Sequence, residues 1–341
     1  MIQFQCDYNE GCHPVILQRL VETNLEQTVG YGMDEYCAKA RTLIQEACQA
    51  PEAMVQFLVG GTQANATVIS SLLRPYQGVL CADTAHVNVH ETGAIEHSGH
   101  KVMALPSAKG LISASQVEAA LKSHFEDGNA EHMVQPGMVY ISYPTETGTL
   151  YSKEELKNIS DICRNYHIPL YVDGARLGYG LMSPKCDISL PDLAQYADIF
   201  YIGGTKQGAL FGEALVITNR WYQKDFRYNI KQNGGMLAKG RLLGLQFEAL
   251  FYDNLYFDIA KHAVDEALRI KVALRDKGYS LFMDSFTNQQ FPILTNQQYE
   301  RLSHSFLFDY WGRFDEEHVV VRICTSWATR SENVDKLIAA L

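Results

Sequence analysis

Residues 169–177 read Pro-Leu-Tyr-Val-Asp-Gly-Ala-Arg-Leu, an apolar run that ends on a carboxylate and a glycine. This run predicts a short buried strand with Asp173 at its carboxyl end. A helix is predicted just before it, over residues 152–166, because Ser152-Lys153-Glu154-Glu155 has the pattern of a capping box. A strand that follows a helix of this length is typical of a crossover connection, and therefore of a parallel sheet.

The same alternation of short apolar runs and helical patterns extends through residues 50–220. A helix is predicted over residues 62–73, with Thr62 as its N-cap. Further strands are predicted at residues 55–59, 79–82, 101–105, 138–143, 197–202 and 214–218. After about residue 225 the pattern changes to long helices, clearest at residues 236–251 and 259–276, and a late strand follows at residues 318–324.

These elements predict an α/β fold with a mostly parallel sheet, helices on both faces and a smaller C-terminal α+β lobe. Residues 51–225 are expected to form the large domain, and residues 226–341 the small domain. We expect residues 1–50 to form an N-terminal arm that packs with the small lobe.

Composition excludes several classes of protein. The 341 residues include 39 acidic and 29 basic side chains, and the formal net charge of −10 disfavours binding to nucleic acid. No apolar run reaches the roughly 18 residues that span a bilayer, and residues 1–7 lack the pattern of a secretory signal. The eight cysteines are scattered without a C-x-x-C pair, which is typical of reduced thiols. A cytoplasmic protein without membrane or nucleic-acid partners is expected.

Two residues that follow predicted strands suggest chemistry. Ligands collect beyond the carboxyl ends of the strands of a parallel sheet, where Asp173 and Lys206 are both predicted to lie. Each residue alone has an ordinary explanation, Asp173 as the cap of a turn and Lys206 as a solvated loop lysine. Together they meet the needs of a pyridine cofactor, which requires a carboxylate at its ring nitrogen and an amine to hold its aldehyde as a Schiff base.

Other residues at the same sheet edge complete this hypothesis. Gly60-Gly61-Thr62 precedes a predicted helix, whose N-terminus is suited to a phosphate group. The Thr205 hydroxyl, next to Lys206, is a further candidate contact. His86, which follows the strand that ends near Ala82, is a candidate for stacking on the ring, although a packed core histidine is the alternative.

Five segments of the chain resemble the threonine aldolase family of pyridoxal 5′-phosphate (PLP) enzymes. They are Gly60-Gly61-Thr62-Gln63-Ala64-Asn65, the region from Ala85-His86 to Glu91-Thr92-Gly93-Ala94, Gly148-Thr149-Leu150-Tyr151-Ser152, Asp173-Gly174-Ala175-Arg176-Leu177 and Gly203-Gly204-Thr205-Lys206. The stretch Val321-Arg322-Ile323 with Thr325-Ser326-Trp327 is similar to the closing strand of that family. The resemblance implies the PLP-dependent transferase fold of aspartate aminotransferase, known as fold type I.

The resemblance also implies a role for each matching residue. Lys206 corresponds to the Schiff-base lysine, Asp173 to the partner of the ring nitrogen and His86 to the stacking histidine. Gly61 and Thr62 correspond to the phosphate loop, and Arg176 and Thr205 are further candidates for cofactor contacts. Substrate contacts are implied for Asp7, Glu91, Arg176 and Arg322, with both arginines holding the substrate carboxylate. The family forms homodimers or homotetramers with sites at subunit interfaces, so an oligomer is expected.

The sequence departs from the family pattern at three places. Cys6-Asp7 stands where the family has Ser-Asp, which removes a small hydroxyl group. Tyr143-Pro144-Thr145-Glu146 stands where the family often has a second histidine, and Glu146 is the candidate replacement. The family's Gly-Gly-Met-Arg is Gly234-Gly235-Met236-Leu237 here, and its cation must come from elsewhere, with Lys231, Lys239 and Arg241 as candidates.

The expected function is therefore PLP-dependent retro-aldol cleavage of a β-hydroxy-α-amino acid, of the threonine or allo-threonine type, to glycine and an aldehyde. His86 is the first candidate for the general base. Elimination, racemisation or transamination on the same fold is the alternative, and a binding protein without activity is a more distant one. A nicotinamide oxidoreductase would need a G-x-G-x-x-G motif, which is absent after the first strand. No metal site is expected, although residues 86, 90, 97 and 100 are all histidine.

Overall fold

The computed structural model describes all 341 residues. It begins with a short strand and two helices: β1 (Ile2–Gln3), α1 (Pro14–Glu22) and α2 (Glu35–Ala47). α2 begins where the Asp34 carboxylate accepts a hydrogen bond from the Cys37 backbone N–H, a typical N-cap contact.

A seven-stranded sheet forms the centre of the molecule. Its strands are β2 (Met54–Leu58), β3 (Gln77–Ala82), β4 (Lys101–Leu105), β5 (Gln135–Ser142), β6 (Leu170–Asp173), β7 (Ile199–Gly203) and β8 (Glu213–Ile217). Their order in the sheet is β2-β8-β7-β6-β5-β3-β4. All neighbouring strands are parallel except β8, which is antiparallel to both β2 and β7. The prediction of a mostly parallel sheet is confirmed.

Helices connect the strands of this sheet. They are α3 (Gly61–Leu72), α4 (His86–Val89), α5 (Ala94–His97), α6 (Ala114–Phe125), α7 (Lys153–Asn165), α8 (Leu177–Leu181) and α9 (Leu190–Tyr196), together with 3₁₀ turns at Ala130–His132 and Arg220–Tyr222. The predicted capping box at the start of α7 is present, with Ser152 as the N-cap. Thr62 was wrongly predicted as the N-cap of α3. The cap is Gly60, because the glycine takes the extended conformation and lets the helix start earlier.

The C-terminal lobe contains long helices and a four-stranded antiparallel sheet. Its elements are α10 (Phe226–Gln232), α11 (Arg241–Phe251), a 3₁₀ turn (Tyr252–Asn254), α12 (Leu255–Asp276), β9 (Leu281–Met283), β10 (Gln289–Thr295), α13 (Asn296–Ser303), β11 (Phe306–Leu307), β12 (Asp309–Arg313), β13 (His318–Cys324) and α14 (Ser331–Ala340). The sheet order is β12-β13-β10-β9, and β1 pairs separately with β11. The predicted strand at residues 318–324 is observed with the same bounds.

The two larger of three hydrophobic clusters hold these layers together. The larger contains 61 buried residues, and it includes Ile44 of α2 and Phe247 of α11 beside the central sheet. The smaller contains 12 and lies in the C-terminal lobe, where Phe4 joins it. The N-terminal segment therefore packs against both cores. No helix has both the length and the apolar character needed to cross a membrane.

Candidate active site

A cavity of about 340 Å³ opens at the carboxyl ends of the parallel strands. This volume is in the range of small-molecule sites. Its walls come from the loops after β2, β3, β5, β6 and β7, and from the N-terminal segment. Seventeen residues line it: Tyr8, Val59, Gly60, Gly61, Thr62, His86, Ser142, Pro144, Glu146, Asp173, Ala175, Arg176, Tyr201, Thr205, Lys206, Phe211 and Glu213.

Asp173 lies at the end of β6 and is held by four donors. Its Oδ1 accepts hydrogen bonds from the Tyr201 hydroxyl (2.5 Å) and the Ala175 backbone N–H (2.9 Å). Its Oδ2 accepts from the Tyr140 hydroxyl (2.5 Å) and from Asn65 Nδ2 (3.2 Å). The carboxylate therefore caps the following turn and also faces the cavity. A further donor from the cavity must share an oxygen with one of these groups or displace it.

Lys206 follows β7 and its side chain enters the same cavity. Burial and the positive charge of Arg176 lower the pKa of Lys206, while the carboxylates of Asp7, Asp173 and Glu213 act in the opposite direction. A lowered pKa leaves more of the amine neutral, which is the nucleophilic form. The Tyr8 ring centroid lies 5.9 Å from its Nζ, so Tyr8 forms one wall beside the amine.

The turn after β2 provides a site for an anion. Gly60 caps α3 without any side-chain hydrogen bond, so the first backbone N–H groups of this 12-residue helix lack an intrahelical partner. Gly61 cannot carry a side chain here, because a Cβ would approach the Tyr201 hydroxyl to 2.9 Å. The Thr205 hydroxyl also faces this end, where it donates to Glu213 Oε1 (2.9 Å) and accepts from the Gly212 N–H (3.0 Å).

His86 stands at the cavity wall with 37% of its side chain exposed. Its Nδ1 lies 2.9 Å from Glu91 Oε1, and the same oxygen accepts a hydrogen bond from Asn65 Nδ2 (2.7 Å). Since a carboxylate oxygen can only accept, we assign the hydrogen to Nδ1, which leaves Nε2 as the free nitrogen. Glu91 itself is buried and does not line the cavity.

Glu146 is a second candidate for proton transfer. Its Oε1 accepts hydrogen bonds from the Ser142 hydroxyl (2.6 Å) and the His86 backbone N–H (3.0 Å). Burial raises the pKa of Glu146 above its ordinary value. This shift brings the pKa closer to neutral pH, where a carboxyl group is more effective as a general acid or base.

Arg176 reaches the cavity from the turn after β6, and its charge is paired behind the cavity wall. Its Nε and Nη2 donate to Asp7 Oδ2 (2.7 Å) and Oδ1 (3.1 Å), and Asn288 also donates to this carboxylate (2.9 Å). Burial alone would raise the pKa of Asp7, but Arg176 holds it at about 2. Asp7 is completely buried, so it fixes Arg176 from behind.

Arg322 lies outside the cavity lining, on β13. Its Nη2 pairs with Asp309 (2.8 Å), its Nη1 donates to Gln289 (3.2 Å), and its guanidinium lies 5.3 Å from the Trp311 ring centroid. The predicted residues that the cavity brings together are therefore Gly61, Thr62, His86, Asp173, Arg176, Thr205 and Lys206. Asp7, Glu91 and Arg322 are separated from it.

The arrangement of the side chains in the cavity fits PLP. One cavity contains an amine with a lowered pKa, a buried carboxylate and the uncapped N-terminus of a helix, which match the aldehyde, ring nitrogen and phosphate of that group. No group of three or more His, Cys, Asp or Glu residues could hold a metal ion.

Sequence reasoning missed Tyr8, Tyr140, Tyr201 and Glu213. Tyr8 follows Asp7, which was already a candidate for substrate contact, so its position next to Asp7 was the available signal. Tyr140 and Tyr201 lie within apolar strands, where a tyrosine is an ordinary core residue.

Comparison with known proteins defines the class. Residues 7–289 match the beta-eliminating lyase family. The chain is 30% identical to the low specificity L-threonine aldolase of Pseudomonas aeruginosa, across 98% of this chain and 95% of that one. The low specificity L-threonine aldolase of Escherichia coli is 25% identical over 57% of each chain.

Solved structures agree with this. The threonine aldolase of Leishmania major superposes with a TM-score of 0.97 at 42% identity, covering 99% of this chain and 98% of that one. An aspartate aminotransferase mutant of Thermus thermophilus has a TM-score of 0.72 at 12% identity, covering 100% and 90%, which shows a shared fold.

The molecule is thus a fold type I PLP enzyme, as predicted. More particularly, the chain belongs to the beta-eliminating lyase family, and the predictions of a lyase and of a PLP cofactor are confirmed.

Proposed function

We propose that this protein is an aldolase that cleaves a β-hydroxy-α-amino acid of the threonine type to glycine and an aldehyde. The observation that carries the proposal is that Lys206, Asp173 and Arg176 line one cavity together with two candidates for proton transfer, His86 and Glu146. The names of the relatives in Pseudomonas aeruginosa and Leishmania major point to the same reaction.

The residues that would hold PLP are those at the strand ends. Lys206 would bind its aldehyde, Asp173 its ring nitrogen, and Gly61, Thr62 and Thr205 its phosphate. When bound, PLP supplies an electron sink that stabilises negative charge at the α-carbon of the amino acid. The four donors around Asp173 keep its carboxylate in one orientation, and a protonated ring nitrogen would donate a hydrogen bond to an oxygen that it shares with one of them.

Arg176 would bind the substrate carboxylate, a contact worth about 1.5–3 kcal/mol for a charge-assisted hydrogen bond. Because Asp7 already holds Nε and Nη2, only part of the guanidinium is left for the substrate. This fixed orientation would select which bond of the α-carbon is broken. A contribution of Arg322 to the same carboxylate stays a prediction.

The proton of the substrate hydroxyl has two candidate acceptors. Nε2 of His86 is free because Glu91 fixes the hydrogen on Nδ1. Glu146 lies close by, since it accepts the His86 backbone N–H. We propose His86 as the base that accepts the hydroxyl proton on Nε2, held in its tautomer by Glu91, with Glu146 as the alternative acceptor of the same proton.

Products from L-threonine test the proposed reaction. The purified protein with PLP should release glycine and acetaldehyde in equal amounts, and the Lys206→Ala variant should release neither. L-allo-Threonine, supplied separately, would show the preference at the β-carbon. Formation of a keto acid without glycine would contradict the proposal and favour elimination or transamination.

We also propose that the protein is a homodimer or homotetramer with sites at the subunit interface. Large apolar side chains are exposed at Leu25 (92%), Trp221 (88%) and Val21 (71%), as expected for surfaces that a second copy covers. Light scattering during size-exclusion chromatography would measure the mass. Two further expectations stay predictions. One is the division of the chain into residues 1–50, 51–225 and 226–341, and the other is a cytoplasmic location, with which the eight unpaired cysteines are consistent.

A further inference from the structure

Glu213 is a buried acid at the anion-binding end of the cavity. It is the first residue of β8, and its register partners are Leu58 on β2 and Gly203 on β7. These partners immediately precede the glycine turn at Gly60 and the loop that carries Thr205. The Glu213 side chain therefore lies between the two loops suited to a phosphate group, and it lines the cavity while only 4% exposed.

The contacts of Glu213 do not neutralise a negative charge. Oε2 accepts a hydrogen bond from the Gly204 N–H (3.0 Å), and Oε1 accepts one from the Thr205 hydroxyl (2.9 Å). No lysine or arginine forms a salt bridge with this carboxyl group. The charged groups that face it are Lys206, which favours the ionised form, and Asp173, which opposes it.

Burial raises the pKa of Glu213 to about 8, against the lowering effects of Thr205, Gly204 and Lys206. The acid form is therefore well populated at neutral pH. A phosphate dianion at the adjacent helix N-terminus would favour the acid form further, because like charges disfavour ionisation.

We propose that Glu213 retains a proton when the cofactor is bound, and that this carboxylic acid makes phosphate affinity dependent on pH. The acid donates its hydrogen to Thr205 Oγ1, which also receives the Gly212 N–H. The threonine hydrogen is then free to point at the phosphate. When Glu213 loses its proton, it captures the Thr205 hydrogen and places a negative charge beside the phosphate.

The inference rests on PLP binding and not on the amino acid that is cleaved. Its test compares the dissociation constants of PLP and pyridoxal for the protein freed of cofactor, measured by absorbance titration. Pyridoxal lacks the phosphate but offers the same aldehyde to Lys206, so the change with pH in the ratio of the two constants isolates the phosphate end. The second ionisation of a phosphate ester lies near pH 6, below the range from about pH 7 to about pH 9 in which the two constants are compared.

The preference of the wild-type protein for PLP over pyridoxal should fall by about tenfold between about pH 7 and about pH 9. Glu213 must be protonated when PLP is bound, and the cofactor-free protein increasingly loses this proton as the pH rises. Glu213→Gln supplies an N–H donor that cannot ionise, and its preference should stay constant. Glu146→Gln is the matched control, because it changes another buried carboxyl of the same cavity. It should retain the wild-type pH dependence.

A constant preference in the wild-type protein would overturn the inference without any variant. An equal decline in Glu213→Gln and wild type would overturn it as well. The aldolase proposal is tested separately from the role of Glu213. A protein that shows the pH dependence but does not release glycine from threonine would contradict the aldolase proposal and leave the role of Glu213 standing.

Discussion

Removing one partner of the pair formed by Asp7 and Arg176 should strongly destabilise the protein. Both side chains are buried, and two hydrogen bonds of 2.7 and 3.1 Å join them. Asp7→Asn keeps the shape of the side chain but removes its charge, and so leaves a buried guanidinium without its counter-ion. Breaking a buried ion pair in this way costs about 3–5 kcal/mol.

The cost can be expressed as a change in melting temperature. The entropy of unfolding is about 2.1 cal/mol/K per residue, which for a chain of 341 residues corresponds to a fall in Tm of roughly 4–7 °C. Differential scanning calorimetry of the protein without cofactor would measure it. Asp265→Asn is the matched control, because its pair with Lys261 is exposed and should be worth less than about 1 kcal/mol.

The sign of the pH dependence follows from the lowered pKa of Asp7. Arg176 holds this pKa at about 2, below the value of about 3.9 in an unfolded chain. The stabilisation is therefore fully present above about pH 4 and is lost as the pH falls towards 2. A decrease in Tm for Asp7→Asn no larger than that of Asp265→Asn would refute the reasoning.

Three further predictions concern catalysis. Lys206→Ala should bind PLP without the yellow colour of the lysine adduct, and an unchanged visible spectrum would exclude Lys206 as the attachment point. Glu91→Gln should lower kcat by at least about tenfold with little change in KM, because the His86 ring loses its fixed tautomer; steady-state kinetics with Glu91→Asp as a milder variant would test this. Glu146→Gln should lower kcat by about a hundredfold or more and alter its pH profile, whereas an unchanged kcat would assign proton transfer to His86 alone.

Much of the central domain could be predicted because its signals are local. Buried parallel strands appear as short apolar runs, and the polar residue after each run must lie at one edge of the sheet. Asp173 and Lys206 could therefore be placed together from their positions alone. The capping box at Ser152 located the start of α7 for the same reason, since the signal lies within four residues.

The remaining features depend on contacts between distant segments. Nothing near Asp7 in the sequence indicates that its carboxylate pairs with Arg176, 169 positions away. Glu213 starts a strand that runs antiparallel to its neighbours, and only this reversal brings its side chain to the edge where the parallel strands end. The placement of Arg322 outside the cavity likewise depends on the packing of the small sheet.

The large sequence separation of the Asp7 contacts also affects the order of folding. Asp7 joins Arg176 and Asn288, which lie 169 and 281 positions away along the chain. Contacts of such large sequence separation are entropically costly to close and tend to form late. During synthesis Asp7 emerges long before Arg176, but Asn288, which also holds the Asp7 carboxylate, emerges only after the last strand of the central sheet has been made. The capacity to bind an amino acid should therefore be among the last properties that a newly made molecule acquires.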